Sequence, residues 1–158
     1  MHNNGSVTLT GGSDGAYTFY NLTIGGAVTS TGAWTIVNNL LISSGSWTAG
    51  SFTHSIGANW TNSVGVGGFT AGTSQVSFAT GAGFAAHAIA GSTTFYDLTI
   101  DASTAPAQVT VSFADGTTQK VTHNLTLLGK AGQLLVLTHS SSAAWTVDNS
   151  AAGTVVAQ

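Results

Sequence analysis

The side chains that could carry acid–base or metal chemistry are few and widely spaced in this sequence. The five histidines are His2, His54, His87, His123 and His139. None of them forms an HxH or HxxxH pair, the spacings that would bring two imidazoles to one metal ion. We therefore interpret them as surface or corner residues, and we predict no metal and no other cofactor. The alternative is a metal-binding stack of three histidines from different turns of a repeat, His54, His87 and His123.

The acidic residues offer one close pair, Asp97 and Asp101. Polysaccharide lyases and hydrolases built on parallel β-helices need clustered acids in a groove, often with a basic residue. Lys120 and Lys130 are the only basic residues besides histidine, and the chain has no Glu. Asp97 also has a structural explanation, because it occupies a repeat position described below. We therefore predict no catalytic residues and a protein that is not an enzyme.

The composition argues against several classes of partner. Only 4% of the residues are charged, against roughly 25% in ordinary globular domains. Neutralising phosphates requires clustered Lys and Arg, so we predict no nucleic-acid partner. No apolar run reaches the length of a bilayer, so we predict no membrane span. The apolar fraction of 42% and the four Trp indicate a packed core rather than disorder.

A short motif organises the chain. Thr-Phe-Tyr-Asn-Leu-Thr-Ile at residues 18–24 returns at residues 94–100 with Asp in place of Asn. Weaker copies begin at Asn39, Asn59 and Asn124, and Trp145 continues the register. A strand-like unit that recurs about every 20 residues is typical of a solenoid. We predict one all-β domain over residues 1–158, a parallel β-solenoid of about seven coils; a β-sandwich is the alternative.

The motif also predicts which side chains point inward. Leu22 and Ile24 share one face, whereas Phe19 has the opposite parity, so a bend at Asn21 is needed if all three are buried. Asn suits such a bend because it tolerates a left-handed backbone. We predict that the residues at this position stack at equivalent corners: Asn21, Asn39, Asp97 and Asn124. The inward residues are predicted to be Leu22, Leu40, Trp60, Leu98, Leu125 and Trp145.

Two further features concern the regularity of the repeat and its outer surface. Residues 101–123 depart from the pattern, and the Asp115-Gly116 turn between two strand-like stretches allows an irregular, hairpin-like excursion. Threonines recur at the outward position, at Thr23, Thr61, Thr99 and Thr126. We interpret them as ordinary β-formers on a solvent-facing strand. A flat face that binds ice or a crystalline polysaccharide is the alternative.

Three stretches carry a resemblance to a known class of protein. They are Gly-Ala-Asn-Trp-Thr-Asn-Ser at 57–63, Gly-Phe-Thr-Ala-Gly-Thr-Ser-Gln-Val-Ser-Phe at 68–78, and Ile-Ala-Gly-Ser-Thr-Thr-Phe-Tyr-Asp-Leu-Thr-Ile at 89–100. Over about residues 17–100 the chain resembles the secreted, adhesin-like β-strand repeat proteins of bacterial surfaces. The resemblance implies export, a parallel β-helix and a place in a long cell-surface or extracellular array, and it implies no catalytic residues. Residues 1–4 do not look like a signal peptide, so we expect a piece of a longer precursor or a mature form with an added Met.

These observations predict a non-enzymatic, extracellular structural or adhesive module of a bacterial surface protein; a carbohydrate- or ice-binding solenoid is the alternative. The ends of a solenoid expose backbone donors and acceptors unless a cap covers them. Neither the first strand, at residues 5–10, nor the last, at residues 145–147, is flanked by a capping helix or a charged run. The formal net charge is only −3, which gives little mutual repulsion. We therefore predict self-association, either into filaments or with neighbouring modules of a longer chain.

Overall fold

Strands joined by short bends make up the described chain. The computed structural model describes residues 2–14, 16–79, 85–150 and 154–157, and for residues 2–14 it describes the backbone alone. Within these ranges there are sixteen strands and no helix. The strands are β1 (His2–Asp14), β2 (Tyr17–Ser30), β3 (Trp34–Ile36), β4 (Leu40–Ile42), β5 (Ser46–Thr48), β6 (Thr53–Ile56), β7 (Trp60–Asn62), β8 (Phe69–Thr70), β9 (Gln75–Ala79), β10 (Ala86–Ala90), β11 (Thr93–Asp101), β12 (Thr110–Phe113), β13 (Thr118–Leu128), β14 (Val136–His139), β15 (Thr146–Asp148) and β16 (Thr154–Ala157).

The long strand β2 shows how the chain is wound, because it takes part in three separate ladders with later strands. Its residues 17–19 pair with β3, residues 22–24 pair with β4, and residues 27–29 pair with β5. All three ladders are parallel. The chain therefore bends twice within β2 and starts the next coil directly above the first. We name the three resulting stacks of strands face A, face B and face C.

Each face continues through the later coils. Face A holds residues 17–19, β3, β6, β9, the second halves of β11 and β13, and β16. Face B holds residues 22–24, β4, β7, β10, β12 and β14. Face C holds two groups of paired strands: residues 27–29 with β5 and β8, and the first halves of β11 and β13 with β15. β8 and β11 are in contact but are not paired. The predicted all-β, parallel β-solenoid is confirmed, and the antiparallel pairing that a β-sandwich requires is not how these strands pair.

The coils lengthen along the chain. On face B the ladder steps from Leu22 to Leu40, then to Trp60 and then to Ile89, and the last of these steps is much the longest. On face A the ladder from β2 to β16 has seven rungs, at Thr18, Thr35, Ser55, Ser77, Thr99, Thr126 and Val156. β1 adds a further coil below β2, so the described strands make eight coils where about seven were predicted, and the predicted constant period describes the early coils only.

The two best copies of the motif do not occupy equivalent places. In the first copy, Leu22 lies on face B and pairs with Leu40. In the second copy, Leu98 lies on face A and pairs with Val76 and Leu125. The chain between the copies therefore makes three coils and two further faces, not a whole number of coils. The motif encodes a bend between two faces, and two different corners of the coil accept it.

This shift makes the prediction of a single Asn ladder wrong. Asn21 and Asn39 stack at the corner between faces A and B, where Asn21 Oδ1 accepts the backbone N–H of Asn39 at 3.1 Å. Asp97 and Asn124 stack at the corner between faces C and A, where Asp97 Oδ1 accepts the backbone N–H of Asn124 at 2.8 Å. Both corners use the same bond, from a backbone N–H of one coil to a side-chain oxygen of the coil before it. The residue type was therefore predicted correctly and its place in the coil was not.

The hairpin-like form predicted within residues 101–123 is also wrong. β12 pairs in parallel with β10 below it and β14 above it, and β13 pairs in parallel with β11. The Asp115-Gly116 turn, with Gly116 at a φ of +70°, is a corner between faces B and C rather than a hairpin. Val111 and Phe113 point into the core, and they need partners from adjacent coils, which a local hairpin would not supply. The irregular part is the connection at residues 102–109.

Aromatic rings fill the core of the early coils. The rings of Trp34 and Trp47 stack with centroids 5.0 Å apart and an interplanar angle of 7°. The indole N–H of Trp47 donates to Ser30 Oγ at 3.0 Å, so the buried donor has a partner. Five of the six residues predicted to point inward are buried, namely Leu22, Leu40, Trp60, Leu98 and Leu125. The sixth, Trp145, is half-buried and stacks on Phe113 at the end of the core.

Candidate functional surface

Two of the histidines predicted at the surface are in the core, which corrects the sequence interpretation. His54 is fully buried, accepts the backbone N–H of Trp34 through Nδ1 at 3.1 Å, and donates from Nε2 to the carbonyl of Ala49 at 3.0 Å. Burial lowers its pKa, and the bond to Ala49 opposes that shift. The strand alternation contained this signal, because His54 has the parity of the inward Ile56.

His87 repeats this arrangement on face B. It is buried and its Nδ1 donates to the carbonyl of Ala58 at 2.9 Å. Burial lowers the pKa of its imidazole as well. It shares the inward parity of Ile89 in β10. Both rings are therefore neutral packing elements, and they lie on different faces.

The stack of three histidines that was the alternative to surface positions is not formed among the described residues. His54 lies on face A, His87 on face B and His123 at the corner between faces C and A. Within residues 2–14, 16–79, 85–150 and 154–157, no group of three or more His, Cys, Asp or Glu side chains is placed to hold a metal ion. His139 is exposed on face B, and the side chain of His2 lies outside the described residues.

The two acids of the close pair, Asp97 and Asp101, make different hydrogen bonds. Asp97 and Asp101 both belong to the second half of β11 on face A. Asp101 Oδ1 accepts the backbone N–H of Ser103 at 2.9 Å and its hydroxyl at 2.6 Å, and so shapes the following turn. Lys130 donates to the carbonyl of Ala105 at 2.6 Å, and Lys120 lies beside Asp148 in the register of face C. The described chain therefore does not bring these acids and lysines into one groove.

Asp115 is a carboxylate surrounded by donors from the following coil. It accepts the hydroxyl of Ser141 and the backbone N–H groups of Ser142 and Ala143, the last two at 2.9 and 3.0 Å. These bonds hold the pKa of the carboxyl well below its ordinary value. Ser140 Oγ also donates to it, at 3.2 Å. Asp115 thus anchors the turn of the following coil, and its donors give it a structural explanation.

Polar side chains form two columns on the outer surface of face A. The first consists of hydroxyl residues on six consecutive coils, at Thr18, Thr35, Ser55, Ser77, Thr99 and Thr126. The second lies beside it, at Thr53, Gln75, Asp97, Asn124 and Thr154. Gln75 links the columns, since its Nε2 donates to Thr99 Oγ1 at 3.0 Å. The four predicted outward threonines are divided, with Thr99 and Thr126 here and Thr23 and Thr61 on face B, where Leu41 separates them.

An aromatic corner borders these columns; we call it the Tyr96 corner and define it as Tyr96, Asp97, His123 and Asn124. The rings of Tyr96 and His123 stack with centroids 4.5 Å apart and an interplanar angle of 18°. His123 Nδ1 lies 2.8 Å from Asp97 Oδ1. The side chains of His123 and Asp97 are 50% and 22% exposed. The Tyr96 corner is thus a polar and aromatic feature within reach of solvent.

The last described coil leaves apolar side chains uncovered. A cavity of about 230 Å³ opens there, lined by Leu127, Leu134, Leu135, Leu137 and Ala157. Leu134 is 63% exposed and Val155 is 54% exposed. Val155 continues the column of Val76, Leu98 and Leu125, which are all buried. We call this region the β14–β16 end.

Comparisons of the chain with family models, with curated proteins and with solved structures find no match. Nor do residues 2–14, 16–79, 85–150 and 154–157 contain a helix of the length and apolarity that crossing a membrane requires. The resemblance to bacterial surface repeats therefore stays an expectation from the sequence. What the chain can do has to be argued from face A and from the β14–β16 end.

Proposed function

We propose that this chain is a non-enzymatic structural or adhesive module of an extracellular or cell-surface array, and that coils of a neighbouring unit cover its β14–β16 end. One observation carries the proposal: an inward column that is buried through Val76, Leu98 and Leu125 becomes half-exposed at Val155. The apolar side-chain type and the register do not change at Val155. Among the described strands, none pairs with the outer edge of β16.

Covering this end has a clear driving force. Full burial of a Val or Leu side chain is worth about 1.5–3 kcal/mol relative to exposure. Val155 and Leu134 would both gain burial, and the cavity at Leu127 and Leu135 would be filled. The edge strands also offer unpaired backbone groups, because β14, β15 and β16 each pair with a strand on one side only among the described strands. Backbone pairing and apolar burial thus favour the same occupant.

A second copy of the chain is the occupant we propose. The first coil, β1, pairs with β2 alone among the described strands. Its other edge therefore has unpaired backbone groups, as the open edge of the last coil does, and the strands at both edges run in the same direction. Stacking one end on the other is a heterologous contact, and repetition of such a contact gives a filament. The formal net charge of −3 offers little repulsion against it. The same contact would serve successive modules of a longer chain.

Light scattering over a concentration series tests the stacking. The wild type is expected to gain mass with concentration, whereas Leu134→Lys, which places a charge at the β14–β16 end, stays monomeric. Val66→Lys is the matched control, because Val66 is 67% exposed but lies in the bend between β7 and β8. A wild type that stays monomeric at millimolar concentration contradicts the proposal. So does equal behaviour of the two lysine variants.

The extracellular placement rests on the resemblance of residues 17–100 to secreted bacterial surface repeats. An antibody raised against the chain should label intact cells, or the medium, of the organism that makes it. Labelling confined to permeabilised cells would contradict the location and would leave the stacking unaffected.

A further inference from the structure

We propose that the Tyr96 corner, together with the two polar columns of face A, binds a neutral polysaccharide chain. This is a binding function beyond the structural role proposed above, and it is carried by different residues. Three features of the molecule support it: the way the Tyr96 corner is built, the groups that it leaves available, and the charge and shape of the adjoining surface.

A β-bulge builds the Tyr96 corner. Phe95 pairs with Val121 and Asp97 pairs with Asn124, so two residues of β13, Thr122 and His123, lie opposite the single residue Tyr96. Thr122 anchors the bulge by donating from Oγ1 to the carbonyl of Phe95 at 3.1 Å. A bulge redirects a side chain that would otherwise follow the strand alternation. Here it brings the His123 ring onto Tyr96 and against Asp97.

Several groups of the Tyr96 corner stay available to a ligand. Asp97 Oδ1 accepts from His123 and from the backbone of Asn124, whereas its Oδ2 has no partner among the described residues. The same holds for the Tyr96 hydroxyl and for His123 Nε2 within that part of the chain. An aromatic ring beside acceptors and donors suits a sugar, which presents an apolar ring face and a rim of hydroxyls. The Tyr96 corner therefore has the chemistry of a sugar subsite.

The adjoining columns favour a polymer over a single sugar. They extend over the consecutive coils of face A at strand spacing, about 4.8 Å per coil, and they consist of hydroxyl and amide side chains with Asp97 as the one charged member. These two columns neither attract nor repel a neutral polysaccharide electrostatically, and they offer no cation to an anionic polysaccharide. The columns are also mixed, with Gln75 and Asn124 among the hydroxyls, which suits flexible hydroxyl partners better than an ice lattice that requires one repeated group.

Affinity electrophoresis tests the proposal, with native gels containing hydroxyethylcellulose, galactomannan or dextran, and alginate as the anionic comparison. The wild type is expected to be retarded in at least one neutral gel. Tyr96→Ser and His123→Gln are expected to weaken retardation about tenfold, equivalent to about 1.4 kcal/mol. Tyr20→Ser is the matched control, because Tyr20 holds the same motif position, is exposed and lies at a different corner. It is expected to behave as the wild type.

Each other outcome overturns the proposal. Those outcomes are retardation in none of the neutral gels, retardation in alginate alone, or an equal loss in the Tyr20 and Tyr96 variants. Adsorption to growing ice that Tyr96→Ser abolishes would assign the surface to ice instead. Thermal unfolding of each variant checks that the fold is retained. Repeating the gels with Leu134→Lys separates the two proposals, because a monomeric variant that is still retarded binds through face A regardless of stacking.

Discussion

The copies of the motif at residues 18–24 and 94–100 differ in sequence at one position, and they differ in the surroundings of their outward side chains. In the first copy, Tyr20 is 42% exposed and Asn21 bonds to the coil above. In the second copy, Tyr96 lies under a histidine ring and Asp97 bonds both to that histidine and to the next backbone. The motif determines a bend and an inward Leu, whereas the neighbouring coil determines the chemistry of the outer surface.

The largest expected effect concerns what the two copies share. Leu22 and Leu98 are both buried although they lie on different faces. Leu22→Ala and Leu98→Ala should each lower the free energy of unfolding by about 2–5 kcal/mol, through lost burial and the cavity left behind. Chemical denaturation measures both values, with Thr23→Ala, at the neighbouring outward position, as the control of small effect. If one of the two leucines costs nothing, the copies are not equivalent as core elements.

The next effect concerns pH, and it comes from the two buried histidines, His54 and His87. His54 and His87 have a pKa lowered from 6.5 by burial. The unfolded chain therefore binds more protons than the folded one below pH 6.5, and stability falls as the pH drops from there toward the lowered values. Each histidine contributes about 1.4 kcal/mol per unit by which its pKa is lowered.

Denaturation at pH 7, 6 and 5 measures this loss. The interval lies above the range in which the hydrogen-bonded Asp115, with its lowered pKa, would be protonated. The loss of stability between pH 7 and 5 should be smaller in His54→Gln than in the wild type. A wild type of constant stability over this interval would mean that the buried imidazoles do not resist protonation.

The smallest effect comes from exchanging the one residue that differs between the copies. Asp97→Asn keeps an oxygen for the N–H of Asn124 and loses the charge facing His123. We expect it to cost less than about 1 kcal/mol, because the acceptor for this N–H is kept and the His123 side chain is half-exposed. Asp97→Ala leaves that N–H without its partner and should cost about 1–3 kcal/mol. Equal losses in the two variants would mean that the side-chain oxygen does not stabilise the corner.

Part of this architecture followed from residue patterns alone. Alternation placed Leu22, Leu40 and Leu98 in a core, and the recurring Asn with its inward Leu indicated a parallel coil. The same alternation applied to His54 and His87 would have placed them inside, because each has the parity of a buried Ile two positions later. An uncapped end was also expected, since no capping residues stand near residues 145–147.

Local periodicity is a property of neighbouring residues, so the sequence was sufficient for the class of fold, the bends and most of the inward residues. Stacking is a property of residues one whole coil apart, and coil length sets it. A constant period would place the second copy of the motif a whole number of coils after the first. Because the coils lengthen between Leu22 and Ile89, the second copy instead lies one face before that position. The bulge that brings His123 onto Tyr96 likewise comes from one extra residue in β13 relative to β11, and such a mismatch becomes visible only when the two strands are paired.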